Sequence, residues 1–211
     1  MFAKAIVSIS AIAAFASLAQ AAPAKYVVDK DHSNVGFAVR HLMITDVIGH
    51  FKDFEGSFTF DRETGAVTDG TFTVKTASID TDNDKRDEHL RSADFFDSAK
   101  HDSMTFKNSK LEKNGKDKYK WTGDLTIRGK TKPVTFDLTE TGMQKDPWGN
   151  QRLGFHAEGK INRKDFGLKW NKAIEGGGVT VGEDVKIIID ASTVQQKETA
   201  PAAAPAPEKK K

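Results

Sequence analysis

Residues 118–138 read KYKWTGDLTIRGKTKPVTFDL, and this stretch decides the fold. Tyr119, Trp121, Gly123, Leu125 and Ile127 alternate with Lys120, Thr122, Asp124 and Thr126. After Arg128-Gly129-Lys130 the alternation resumes at Val134, Phe136 and Leu138. A period of two puts apolar side chains on one face and polar ones on the other, the pattern of a half-buried strand. A glycine-bearing break at hairpin distance makes the two runs antiparallel neighbours.

The same rhythm extends in both directions. Towards the N-terminus it runs through Val35, Phe37 and Val39, then Phe54, Gly56, Phe58 and Phe60, then Phe72 with Val74, then Met104 with Phe106. Towards the C-terminus it recurs at Leu153, Phe155, Ala157 and Ile161, and at Val185, Ile187 and Ile189. Turn-forming residues separate the runs at Arg62 to Gly65, Lys113 to Lys116 and Asp146 to Asn150. The expected fold class is therefore all-β: about eight strands joined mostly by hairpins in an up-and-down sheet that closes into a barrel. Two stretches break the rhythm and are expected as short helical insertions at a barrel mouth. One is HLMITDVI, His41 to Ile48; the other is Asp84 to Ala93, with Asp82 or Asp84 as N-cap. Alternation alone does not say which face points inward, since an outer-membrane barrel turns its apolar face to lipid. The two insertions and a polar tail after the last strand speak against that arrangement.

Composition narrows the function classes. Basic residues number 32 against 30 acidic ones, a formal charge of +2, which disfavours a nucleic-acid-binding or polybasic membrane-surface role. Cysteine is absent, which excludes disulfides, thiolate catalysis and Cys-ligated metals. Lys4, the apolar run Ala5 to Leu18 and Ala19-Gln20-Ala21 form a secretory leader over residues 1–21, too short in its apolar part for the roughly 20 residues a membrane span needs. The domain is expected over residues 22–196, and 197–211 (KETAPAAAPAPEKKK) as a disordered Ala/Pro/Lys tail.

Several motifs invite chemistry and fail on spacing. Asp80-x-Asp82-x-Asp84 opens like an EF-hand loop but carries Lys85 and Arg91 where glycine and glutamate are required. Gly123 to Thr131 mimics a P-loop in a strand–turn–strand context with the wrong spacing. Gly176-Gly177-Gly178 precedes a strand and suits a tight turn. The six histidines show no metal-ligand spacing, and no G-x-S-x-G elbow is present. No catalytic residue and no metal or cofactor site is assigned, and the expectation is a non-enzyme.

At Arg86-Asp87-Glu88-His89-Leu90-Arg91-Ser92-Ala93-Asp94-Phe95-Phe96 the chain resembles the YceI family of secreted, polyisoprenoid-binding proteins. Further matches are His32-Ser33, Gly49 with Phe51, Gly123-Asp124-Leu125-Thr126-Ile127, Thr131-Lys132-Pro133-Val134, Asp146-Pro147-Trp148-Gly149 and Asn162-Arg163-Lys164-Asp165-Phe166-Gly167. The resemblance spans residues 25 to 197 and leaves the Ala/Pro tail outside it. It implies a lipocalin-like barrel with an elongated apolar tunnel, a periplasmic location, and a long isoprenoid or fatty lipid as ligand.

Eight strands is the size at which a barrel interior is filled by side chains or holds one small ligand, and the residues alone leave both open. The expected tunnel lining is Phe37, Val39, Leu42, Phe54, Phe58, Phe72, Val74, Phe106, Trp121, Leu125, Phe136, Leu138, Phe155 and Ile187. Large rings at the barrel ends, with Gly56, Ala157 and Gly159 between them, would leave such a channel. Arg40, His41, Arg86 and Arg91 fall on or beside the insertions and are the head-group candidates for an anionic or quinone lipid; Arg86 beside Asp87 reads equally as a structural ion pair. The function expected is a periplasmic carrier of a polyisoprenoid or similar lipid, quinone-like or prenyl-phosphate, without nucleic acid, without a membrane span, and with at most transient membrane contact. Two alternatives are a secreted enzyme acting on a lipid head group through His41 or His89, and an envelope stress or surface-binding protein using the terminal lysines.

Overall fold

The computed structural model describes residues 22–175 and 177–197. The leader expected over residues 1–21 and all but the first residue of the tail expected over 197–211 lie outside the described residues. Ten strands make one antiparallel sheet: β1 (Ala24–His41), β2 (Thr45–Phe51), β3 (Phe54–Phe60), β4 (Val67–Lys75), β5 (Ile79–Asp80), β6 (Ser103–Lys113), β7 (Lys118–Ile127), β8 (Lys130–Lys145), β9 (Gln151–Asn162) and β10 (Val181–Gln195). The sheet closes where β1 pairs with β10, from Tyr26 opposite Gln195 to His41 opposite Val181.

Ten strands occupy eight positions round the barrel. The other edge of β1 is lined in its first part by β3 and in its second by β2, which run on from one another across Lys52-Asp53. Likewise β5 continues β4 beyond a short 3-10 turn, Thr76–Ser78, and pairs with β2. A barrel needs corners, and these breaks supply them. A further irregularity in β1 falls between Asp29 and Asn34. There the Ser33 hydroxyl donates to the Asp29 carbonyl at 2.6 Å and accepts from the Ser192 amide at 3.0 Å, so the interrupted ladder keeps its hydrogen bonds.

The four hairpin turns fall where the sequence places them. Between β7 and β8 both Arg128 (φ 50°) and Gly129 (φ 70°) are left-handed, the geometry whose twist matches the flanking strands. At the β8–β9 turn, Asp146 accepts from the amides of Trp148 and Asn150 at 3.0 and 2.8 Å, and from Arg152 Nε at 3.0 Å. Arg152 also bonds Asp29, which ties this turn to β1.

The insertions come out differently. Residues 41–48 are not helical: β1 runs through His41, a tight turn follows, and β2 begins at Thr45. Leu42 (φ 49°) and Met43 (φ 64°) take the left-handed turn positions, which normally fall to Asn and Gly and so carry no turn signal here. The second insertion is one helix, α1 (Asp84–Arg91), but its N-cap is Asn83, whose side chain accepts from the Arg86 amide at 3.0 Å, not Asp82 or Asp84. Asp87 does not pair with Arg86. Buried, it accepts from the amide and hydroxyl of Thr81 at 3.0 and 2.5 Å, while Arg86 donates to the hydroxyl and carbonyl oxygens of the same residue.

The apolar face points inward. Trp121, Leu125, Ile127, Phe136 and Leu138 are all buried, while their alternates include Lys120, Asp124, Thr135 and Asp137. That exterior is charged, unlike the lipid face of a membrane barrel. No described helix is long and apolar enough to cross a membrane.

Candidate functional site

Along the barrel axis runs a cavity of about 240 Å³ whose exposed wall atoms are almost all carbon. At one end it reaches Phe60, Val67 and Tyr119, and at the other Phe95, Phe166 and Leu168. Of the residues expected to line a tunnel, all but Leu42 lie on its wall. Leu42 sits outside, in the β1–β2 turn, 38% exposed, because the turn replaces the helix that would have folded it inward.

The bore is held open by a pairing the sequence reading did not anticipate. Rings are not confined to the ends with small residues between them. A girdle of Phe58, Phe72, Phe106, Trp121 and Phe136 crosses five adjacent strands, with neighbouring centroids 4.6 to 6.3 Å apart. Most contacts are edge-to-face or tilted, the arrangement the ring quadrupole favours. Several of these rings lie against the wall over a glycine of the next strand. A Cβ on Gly56 would stand 2.3 Å from Phe72, on Gly123 2.3 Å from Phe106, and on Gly159 2.4 Å from Phe136. Phe37 lies over Gly49 in the same way, at 2.5 Å. The missing side chain lets the ring lie flat, and the axis stays clear. The Trp121 indole, the large polar handle in the girdle, donates to Asn108 Oδ1 at 2.9 Å, and Asn108 in turn donates to the Val67 carbonyl. The indole's hydrogen bond is therefore satisfied within the wall.

The end near α1 is closed by two arginines absent from the sequence-based site. Arg163, 4% exposed, donates to the carbonyls of Gly182, Leu168, Trp170 and Val181 at 2.6 to 3.2 Å. Burial pushes its pKa below the usual arginine value, against the pull of Glu183. Arg128 donates to the carbonyls of Phe95, Ala93 and Gly167. These residues pin the α1 segment and the 163–180 loop across the barrel end. At the opposite end burial raises the pKa of Tyr26, with Arg62 lowering it and Glu140 raising it further.

The four head-group candidates do not converge. Arg86 is engaged with Thr81, and Arg91 donates to the Ile79 carbonyl at 3.3 Å, so both hold the α1 segment to the barrel. Arg40 is exposed beside Asp46 (3.2 Å), and His41 ends β1 opposite Thr45. His89, weighed as a catalytic base, bonds Asp94 at 2.8 Å and packs edge-on against Phe95 and Trp170. Its ring thus clamps the two end segments together. Among the described residues no cluster of His, Asp and Glu is suited to a metal ion.

A closed antiparallel eight-stranded barrel around a carbon-lined bore defines the class, a lipocalin-like barrel. The chain belongs to the YceI family: residues 26–193 match the YceI-like domain. It is 43% identical over 183 residues to protein YceI of Escherichia coli O6:H1, covering 86% of this chain and 92% of that one. The crystal structure of the Campylobacter jejuni YCEI protein superposes with a TM-score of 0.66 at 35% identity, over 80% of this chain and 96% of the other. A polyisoprenoid binding domain from Saccharophagus degradans shares the fold, with a TM-score of 0.62 at 12% identity, over 81% and 98% of the two chains.

Proposed function

We propose that this protein is a periplasmic binding protein that carries a polyisoprenoid or similar long-chain lipid, quinone-like or prenyl-phosphate, with its tail in the bore, and that it does not transform its cargo. The observation that supports this reading is the bore itself, about 240 Å³ with almost no polar atom on its wall. Water gains little there, because each water needs two to four polar partners. A 150 Å³ apolar cavity takes up benzene, so this one houses a chain of roughly ten carbons without rearrangement. At about 0.8 kcal/mol per methylene, those carbons supply ~8 kcal/mol, an affinity near micromolar. A longer tail gains more only by displacing a ring or emerging from an end. The sequence of residues 1–21, which reads as a secretory leader, is in keeping with export, and the polyisoprenoid binding named for the Saccharophagus domain is in keeping with the cargo.

The test is a length series. Delipidated protein is titrated with geraniol, farnesol, geranylgeraniol and a longer prenol, and lipid extracted from natively purified protein is identified by mass spectrometry. Affinity rising with tail length towards a plateau, with one prenol per chain, is the expected outcome. No stoichiometric lipid in the extract together with no prenol uptake would overturn the proposal.

A further inference from the structure

The geometry points to the β1–β2 turn as a bilayer-insertion tip at the barrel end covered by α1 and the 163–180 loop, an inference that rests on the lipid-binding reading above. Leu42, Met43, Ile44 and Ile48 are 38, 55, 78 and 71% exposed. The remaining large exposed hydrophobic among the described residues, Trp148, stands at the other end of the barrel. Three of the four are consecutive and occupy the turn. Leu42 and Met43 sit at positive φ, where Asn-Gly would relieve the backbone and Leu-Met does not. Neither is on the bore wall; Met43 leans on the covering loop beside Gly178, and the rest of the tip turns apolar surface outward.

The position ties the tip to the bore. Val39 and Val181 are on the cavity wall, His41 pairs with Val181, and the Leu42 amide donates to the Thr180 carbonyl at 2.9 Å. The apolar turn therefore projects from the barrel end that α1 and the 163–180 loop cover. Its size and shape select the occupant. Four side chains on a hairpin tip fall far short of the roughly 20–30 residues a side that a stable protein interface uses. A convex apolar tip suits penetration of the acyl region of a bilayer, the medium in which an isoprenoid tail resides. The charges that flank it in β1 and β2, Arg40 and Asp46, pair with one another at 3.2 Å, so the tip's own attraction is apolar.

Co-flotation of the purified protein with phosphatidylcholine vesicles tests this. Two double variants are compared with wild type: Leu42→Asn with Met43→Gly, which installs the preferred turn pair, and Ile44→Ser with Ile48→Thr, which keeps a strand-forming residue in β2. Wild type is expected to float with vesicles irrespective of salt, and both variants to partition about tenfold less or weaker. The Asn-Gly variant should melt no lower than wild type. Uptake of cis-parinaric acid from aqueous solution, which needs the bore alone, should be unchanged in both. Variants that float like wild type, or a wild type that takes up parinaric acid yet never floats, would overturn the insertion tip and leave the lipid reading intact. A wild-type dimer in sedimentation that either variant dissolves would assign the surface to a second copy instead. Tip-dependent flotation without parinaric uptake would keep the tip and strike the cargo reading.

Discussion

Replacing Gly159 or Gly56 by alanine tests whether ring-over-glycine packing keeps the bore open. Neither glycine has a positive φ, so alanine is conformationally permitted and the penalty is steric. At Gly159 the new methyl would stand 2.4 Å from Phe136 Cδ1 and 2.9 Å from Cε1; at Gly56 it would stand 2.3 and 2.9 Å from the same atoms of Phe72. Ordinary contact begins near 3.4 Å, so each ring must move about 1 Å, and with the wall behind it the free direction is the axis. Overpacking of this kind costs ~1–3 kcal/mol, offset by the ~0.4–1 kcal/mol that Gly→Ala gains through the unfolded chain. The net loss is about 1–2 kcal/mol per site, a fall in Tm of roughly 2–8 °C for a domain this size. In the bore each displaced ring removes room for about one methylene, so the double variant loses ~1.6 kcal/mol of prenol binding, roughly fifteenfold in Kd. Thermal unfolding by circular dichroism, beside a geranylgeraniol titration, reads both quantities. A folded double variant with unchanged Tm and unchanged prenol affinity would refute the idea that these glycines set the bore's width.

Three further outcomes follow from named contacts. Arg163→Met strips two buried and two part-buried carbonyls of their donor at ~1–3 kcal/mol for each buried one, so urea unfolding should show a loss of about 3 kcal/mol or more, with early proteolysis in residues 163–180. Phe136→Asp places a carboxylate where the side chain is 3% exposed and should abolish the folded dichroism signal outright, whereas an exposed control such as Ile44→Asp should not. The Asp146 carboxyl is held down at about 2: burial pushes it up, but the bonds from Asn150, Arg152 and Trp148 outweigh that. Because its folded pKa is depressed, its stabilisation is complete above the unfolded value near 3.9 and is lost as pH falls towards about 2. Melting curves of wild type and Asp146→Asn should therefore differ at neutral pH and converge below pH 2.

The long strands and their hairpins were legible because a period of two survives in them and glycine marks the turns, as at Arg128-Gly129. What escaped were the features without a local code. Residues 41–48 read as a helical turn because Leu42 and Met43 occupy positions that Asn and Gly would have announced. The splits at Lys52-Asp53 and Thr76–Ser78 were invisible because β2 and the two-residue β5 are too short to announce themselves, and only the closed barrel shows them in line with β3 and β4. The wall of the bore was legible from inward-facing positions, whereas its hollowness was not: it depends on Gly56, Gly123 and Gly159 lying under rings of neighbouring strands. The arginines divided for a similar reason. Arg86 and Arg91 stand on α1 and are claimed by carbonyls of the segment before it, at Thr81 and Ile79, and Arg163 is buried by a 3-10 turn whose neighbours Lys164 and Asp165 stay outside.

The pairing of β1 with β10 joins residues near the two extremes of the domain, with Tyr26 opposite Gln195. A polypeptide emerging amino end first can zip its hairpins in order, yet its opening strand keeps one raw edge until the fifteen residues of the last strand arrive. Greasy inner surface stays uncovered for that interval. A nascent molecule of this kind needs shelter late in its synthesis rather than early, and any stop codon ahead of Val181 yields a sticky ribbon in place of a vessel.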